Sequence, residues 1–101
     1  MPSTWPGVRA PHLFLDDGRA IFDLFGPWFT LVRFTDASAE PLIQAAHDRG
    51  VPLTVLDVRD EHAHAVYERD FVLVRPDQHV AWRRNAMPAN ALAVIDRVRG
   101  A

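Results

Sequence analysis

Hydrophobic and polar positions alternate with two periods along this chain. Near the start, His12-Leu-Phe-Leu15 is a short apolar run that meets Asp16-Asp17-Gly18, a turn signal in which Gly18 is free to take positive φ. With Arg19-Ala20 it predicts a small hairpin over 12–20. Ile21, Phe22, Leu24 and Phe25 then follow helical spacing for one or two turns, stopped by Gly26-Pro27. Trp28 to Phe34 is dense in aromatic and β-branched residues and predicts a strong strand. Asp36 or Ser38 can cap a helix with Pro41 in its first turn. Leu42, Ile43, Ala45 and Ala46 form its apolar face, and Gly50 stands as its C′ residue. Leu53–Val58 is nearly continuous apolar sequence, as in a parallel strand covered on both faces. Asp60 can cap a short helix to Glu68, with Ala63, Val66 and Tyr67 inward. Phe71–Arg75 predicts a third strong strand. Pro76-Asp77-Gln78 is a turn, and Val80-Ala-Trp-Arg83 returns as an antiparallel partner. Pro88 opens a last helix striped by Leu92, Ile95 and Val98, with Arg97 and Arg99 suited to its C-terminal dipole and Gly100 at its end.

A strand, a helix and a strand at 28–58 make a βαβ unit with a right-handed crossover. A short helix follows, then a β-hairpin and a helix at 71–99. The expected fold is α/β and thioredoxin-like: a mixed central sheet with helices on both faces. The 101 residues suffice for one domain, taken as 1–101, and no repeat or linker divides them. Pro2, Pro6, Gly7 and Pro11 predict an irregular, extended lead-in.

Composition narrows the chemistry. Apolar types make up 49% and charged types 24%, the balance of an ordinary globular protein. There is no cysteine, which excludes disulfides, thiolate metal sites and thiol redox chemistry. All 11 basic residues are Arg, which removes Schiff-base and Walker-type lysines. A formal charge of −2 offers no electrostatic reason to expect nucleic acid or an anionic membrane as partner. No apolar run approaches a membrane span and no targeting segment stands out, so the expectation is a cytoplasmic protein.

The candidate constellations each have a plainer explanation. His62 and His64, with Asp57, Asp60 and Glu61 nearby, are the right types for zinc or nickel, but side chains two apart on a helix diverge. Asp16-Asp17 is a carboxylate pair in a turn. Ser38 with His47 or His79 and an Asp has triad composition, but no nucleophile elbow surrounds Ser38 and a capping role explains it. Arg75, Arg83 and Arg84 lie near one hairpin. Simple alternation places Trp82 and Val80 together in the core, and Arg83 with His79 on solvent or on a neighbouring domain. Trp5, Phe14, Phe22, Phe25, Trp28 and Phe29 crowd the first thirty residues, either lining a cleft or filling the core, with core filling the expectation. Trp5 is the exception, a candidate to cover a surface shared with another domain.

Leu73-Val-Arg-Pro-Asp-Gln-His-Val-Ala-Trp-Arg83 resembles a segment of the C-terminal domain of FAD-dependent aromatic-ring hydroxylases, the group A flavin monooxygenases acting on phenols, hydroxyphenylpropionates and aromatic polyketides. Arg75, Pro76, Asp77, His79, Val80, Ala81, Trp82 and Arg83 match. Gln78 replaces the usual Gly, which suggests a type I turn without a positive-φ demand. Pro6–His12 resembles the entry to that domain, and Leu15–Gly18 through Leu24–Gly26 its hairpin and short helix, so the likeness covers essentially the whole chain.

The resemblance implies a noncatalytic structural or interaction domain with no catalytic, cofactor-binding or metal residue of its own. The parent enzyme would use FAD and NAD(P)H to hydroxylate a phenolic ring. Its FAD-binding and substrate domains would be the partners, with a homo-oligomer possible. The cysteine-free loop Arg33–Ser38 and the wide spacing of the five glycines agree independently, since redox thioredoxins and dinucleotide fingerprints need residues missing here. The alternatives are a free-standing thioredoxin-fold interaction or dimerisation module and a small enzyme or ligand-binding protein.

Overall fold

Aromatic and β-branched residues from Phe29 to Arg33 build the strand around which everything else is arranged. The computed structural model describes residues 7–100. β1 (Phe29–Arg33) lies inside a four-stranded sheet of order β2-β1-β3-β4. It is parallel to β2 (Leu53–Asp57) and antiparallel to β3 (Phe71–Val74), which pairs with antiparallel β4 (Val80–Arg84). Helix α1 (Glu40–Asp48) joins β1 to β2, α2 (Glu61–Tyr67) joins β2 to β3, and α3 (Ala91–Gly100) follows β4. This is the expected mixed sheet. A single 3₁₀ turn, Ile21–Leu24, stands where one or two helical turns are predicted.

Side-chain alternation on the strands builds two apolar layers. Leu31, Phe71, Leu73 and Trp82 face α1 and α3 through Leu42, Ala45, Ala46, Val94 and Ile95. Val32, Val72, Val74 and Val80 face α2 and the N-terminal segment through Ala63, Tyr67, Ile21 and Leu15. Helices therefore cover both faces.

Local chemistry sets the ends of the elements. Asp60 caps α2, its Oδ1 accepting the Ala63 N–H at 2.9 Å. Gly50 takes φ 67° after α1, as its C′ role requires. α1 itself begins after Ala39, a buried residue with no side-chain cap; Ser38 Oγ accepts the Glu40 N–H instead, and Pro41 occupies the first turn. α3 starts at Ala91, three residues beyond Pro88, because Asn90 Oδ1 accepts the Ala93 N–H and supplies the cap.

Four expectations are corrected. β2 is parallel but lies at the sheet edge, so Thr54 is exposed and its apolar residues are only half-buried. Val80 and Trp82 do not share a face. The register jumps from Val74↔Val80 to Leu73↔Trp82, leaving Ala81 as the extra residue of a β-bulge. The slip sends Val80 to the α2 layer and Trp82 to the α1/α3 layer. It also turns Arg83 inward opposite Val72, with only 4% of the residue exposed. Finally, Gln78 takes φ 68°, so the turn keeps the left-handed position that glycine would serve. Gln78 N–H still donates to Arg75 O at 2.9 Å to close that turn.

The lead-in is more ordered than its prolines suggest. Gly7 N–H donates to Val80 O, Val80 N–H to Val8 O and Ala10 N–H to Gln78 O, at 2.7–2.8 Å. These bonds cover the start of the β4 edge, which would otherwise present unpaired backbone groups. Pro2, Trp5 and Pro6 lie outside the described residues, as does the side chain of Arg99.

Candidate functional site

In a thioredoxin-like sheet, chemistry belongs at the carboxyl end of β1, in the loop leading to α1. Here that loop is clasped by ion pairs. Arg33 Nε and Nη2 donate to the two Asp57 carboxylate oxygens at 2.5 and 3.1 Å, and Nη1 donates to Ala37 O at 3.2 Å. Arg59 Nη2 donates to Asp36 Oδ1 at 2.6 Å and to Thr35 O at 3.3 Å. The hydrogen bond from Arg33 holds the Asp57 carboxyl below the usual range, and Asp57 raises Arg33 in turn. The clasp consumes the charges of the ends of β1 and β2 in holding them together.

The same loop does not fit FAD. A dinucleotide needs glycines that let the backbone approach the pyrophosphate at a helix N-terminus. Residues 34–39 contain no glycine, Asp36 stands in the loop, and Glu40 opens α1. With Asp36 neutralised by Arg59, the Glu40 carboxylate at the start of α1 is the one that would repel a pyrophosphate.

The histidines engage separately. His64 stacks on Phe34 with ring centroids 5.0 Å apart and planes 2° from parallel, and its Nε2 lies 2.8 Å from Asp70 Oδ1. His62, two positions earlier on α2, is exposed. Asp60 Oδ2 accepts the Asp16 N–H at 2.8 Å while Oδ1 caps α2, and these backbone donors, Ala63 first, hold its carboxyl low. No group of three His, Asp or Glu residues among those described converges on one point. Asp17 accepts the Arg19 N–H at 3.0 Å and pairs with the Arg19 guanidinium, so Asp16-Asp17 is a turn that docks onto Asp60. Ser38 is occupied at the start of α1. His79 sits at the other end of the sheet, its Nδ1 3.1 Å from Asp77 O. The structure does not assemble the triad.

Arg75, Arg83 and Arg84 do not form one basic patch. Arg75 pairs with Asp77 at 2.5 Å, and Arg84 Nη1 donates to Arg83 O at 2.7 Å. Arg83, expected on solvent or on a neighbouring domain, is buried and donates to Glu68 Oε1 at 3.1 Å.

The aromatic residues of the first thirty positions also depart from expectation. Tyr67 and Phe71 are the largest fully buried side chains. Phe14 is 66% exposed and Trp28 58%, while Phe22, Phe25 and Phe29 are half-buried. Phe14, His12, Phe22 and Phe25 form a connected row, with centroid separations of 5.6, 4.5 and 5.4 Å. Arg9 lies 5.4 Å above the Phe22 ring. Sequence reasoning missed Arg9 and His12. The signal was there in part, since His12 and Phe14 are two apart in an extended segment and share a face. The Phe14↔Ala20 bridge belongs to the hairpin predicted over 12–20; the ring contact of His12 with Phe22 beyond it is what the pattern did not show.

A family model described as aromatic-ring hydroxylase, C-terminal, matches residues 3–101. The chain belongs to that family. It is 44% identical over 92 residues to the FAD-dependent monooxygenase apdD of Emericella nidulans, covering 85% of this chain and 15% of that protein. It is 30% identical over 118 residues to a phenol 2-monooxygenase of a Pseudomonas species, covering 97% of this chain and 19% of that protein. Among solved structures, it superposes on RebC with bound 7-carboxy-K252c at a TM-score of 0.92 and 46% identity, covering 99% of this chain and 20% of RebC. The chain thus spans a fifth or less of the length of these relatives. No helix among the described residues is long and apolar enough to cross a membrane.

Proposed function

We propose that residues 1–101 act as one noncatalytic thioredoxin-like domain of a longer FAD-dependent monooxygenase that hydroxylates an aromatic substrate. The observation that carries this reading is the family match over 3–101 together with relatives that are FAD-dependent monooxygenases about five times longer. The ion-paired loop after β1 supports it from the chemistry side, because its hydroxyls, Thr35 and Ser38, are engaged by backbone N–H groups and it offers no cradle for FAD. FAD, NAD(P)H and the phenolic substrate then belong to domains outside this chain, in a cytoplasmic enzyme. This domain contributes folded surface to that assembly.

The test is the mass and colour of the native gene product, followed with an antibody against this domain. A polypeptide several times larger than 11.4 kDa that copurifies with FAD is the expected result. A native product of 11.4 kDa would overturn the reading. The exposed Phe14 and Trp28 would then favour a free-standing module that dimerises or docks a partner.

A further inference from the structure

We infer that the aromatic row of the N-terminal segment is the face on which the preceding part of the longer polypeptide docks. The inference rests on the reading above and specifies the surface that this reading leaves open. Scattered exposed apolar side chains need no explanation, but a connected set does. Val8 is 46% exposed and Phe14 66%. Phe14 rests on His12, His12 on Phe22 and Phe22 on Phe25, so one aromatic surface, interrupted by the exposed imidazole of His12, runs from the exposed edge into the α2 layer. Edge-on and tilted ring contacts hold these rings before any partner arrives, so docking on them orders few side chains.

Where the rest of the polypeptide attaches argues for its being the occupant. The matched family is the C-terminal part of the hydroxylases, and the relatives carry some four-fifths of their length elsewhere. That length joins on the N-terminal side. Phe14 lies 11 residues beyond residue 3, where the family match begins, so at most about 40 Å of extended chain separates the row from that boundary. Tethering gives an attached domain an effective concentration of order mM there, which a second copy must compete with. Charge sets the chemistry of the contact. Arg9 donates to Gln78 Oε1 at 2.8 Å and lies over Phe22, and no carboxylate among the described residues pairs with it. The facing surface is therefore apolar with an Asp or Glu opposite Arg9. Trp28, the other large exposed ring, lines a separate concavity of about 560 Å³ with Phe29, Arg75, Pro76, Ala81 and Val98.

Hydroxyl-radical footprinting of the full-length flavoprotein tests this, with each rate divided by the intrinsic reactivity of its residue type. Phe14 is expected to oxidise several-fold more slowly than Trp28, equally at low and high protein concentration. Phe14→Asp should leave the domain folded, because the ring is exposed within it, and should speed trypsin cleavage at the junction by about tenfold or more. Phe14 reacting as its 66% exposure dictates, or protection at Trp28 in its place, overturns the inference while the enzyme reading stands. Protection that grows with protein concentration assigns the row to a second copy and overturns it too. The enzyme reading is judged separately, by the mass and flavin content of the native product.

Discussion

Tyr67→Phe removes one buried oxygen and leaves the ring in place. Tyr67 is fully buried, and its hydroxyl donates to Pro11 O at 2.6 Å, tying α2 to the segment that precedes the hairpin. The substitution opens little cavity, so its cost is that of leaving a buried carbonyl without this partner, about 1–3 kcal/mol. At roughly 2.1 cal/mol/K per residue, a domain of this size loses about 10 °C of Tm for a 2 kcal/mol change. The pH dependence adds a second signature. Burial pushes the Tyr67 hydroxyl above its ordinary pKa, so its contribution is fully present below the unfolded value near 10. It is lost as pH rises from there through the higher folded value, by about 1.4 kcal/mol per pH unit. Tyr67→Phe has no such loss. Thermal unfolding followed by circular dichroism should show the native chain well above the variant at pH 7, with the gap closing above about pH 10. A Tm difference under about 2 °C at pH 7, or a gap unchanged to pH 11, would refute the assigned role of this hydroxyl.

Other perturbations read other parts of the fold. In Gly26→Ala the new Cβ would lie 2.6 Å from Thr54 Oγ1 and 3.2 Å from Thr54 Cβ; about 1–3 kcal/mol should be lost in urea titration, with partial recovery when Thr54→Ala is added. Gln78→Gly relieves the cost of φ 68° and gives up an exposed bond to Arg9, for a net gain of about 0.5 kcal/mol; a loss above 1 kcal/mol would show that the Arg9 contact dominates. Glu68→Gln weakens the pair with Arg83, whose side chain is 5% exposed against 40% for Glu68. That half-solvated partner sets the expected cost at about 1–2 kcal/mol, below the 3–5 of a fully buried pair, and Arg83→Met should cost less, as chevron or equilibrium unfolding will show. Because Arg33 depresses the Asp57 carboxyl, its contribution is present above the ordinary carboxylate pKa and disappears as pH falls through the folded value. Asp57→Asn should flatten the acid limb of the stability profile below about pH 4, measured by denaturant midpoints.

Local chemistry made much of the architecture legible. Asp60 caps α2, Gly50 ends α1, Gly18 turns the hairpin, and the order of apolar runs predicts the mixed sheet. What escaped depends on partners distant in sequence. The bulge at Ala81 is one extra residue in β4, invisible to a period-2 reading, and it alone reverses Trp82 and draws Arg83 inward. The apolar run of β2 reads as doubly covered, yet its burial is decided by its place at the edge of the sheet. Pro88 resembles a helix start, but the cap chemistry of Asn90 places the start of α3. Phe14 and Trp28 carry core-like side chains whose burial within this chain the fold does not provide. The candidate chemical groups could be named from sequence, but their engagement in Arg33–Asp57, His64–Asp70 and Arg83–Glu68 pairs required the tertiary contacts.

The central claim is that this domain supplies surface and stability and takes no part in the reaction. The most direct test is turnover by the full-length flavoprotein with two of the ionisable pairs disabled, Arg33→Met with Asp57→Asn and His64→Phe with Asp70→Asn. Product formation is measured beside flavin content and Tm. The account predicts kcat within about twofold of the native enzyme once flavin content is normalised, since removing a group that acts in the chemistry typically costs 10²-fold or more. A loss of that size in kcat, with flavin bound and the fold intact, would contradict it.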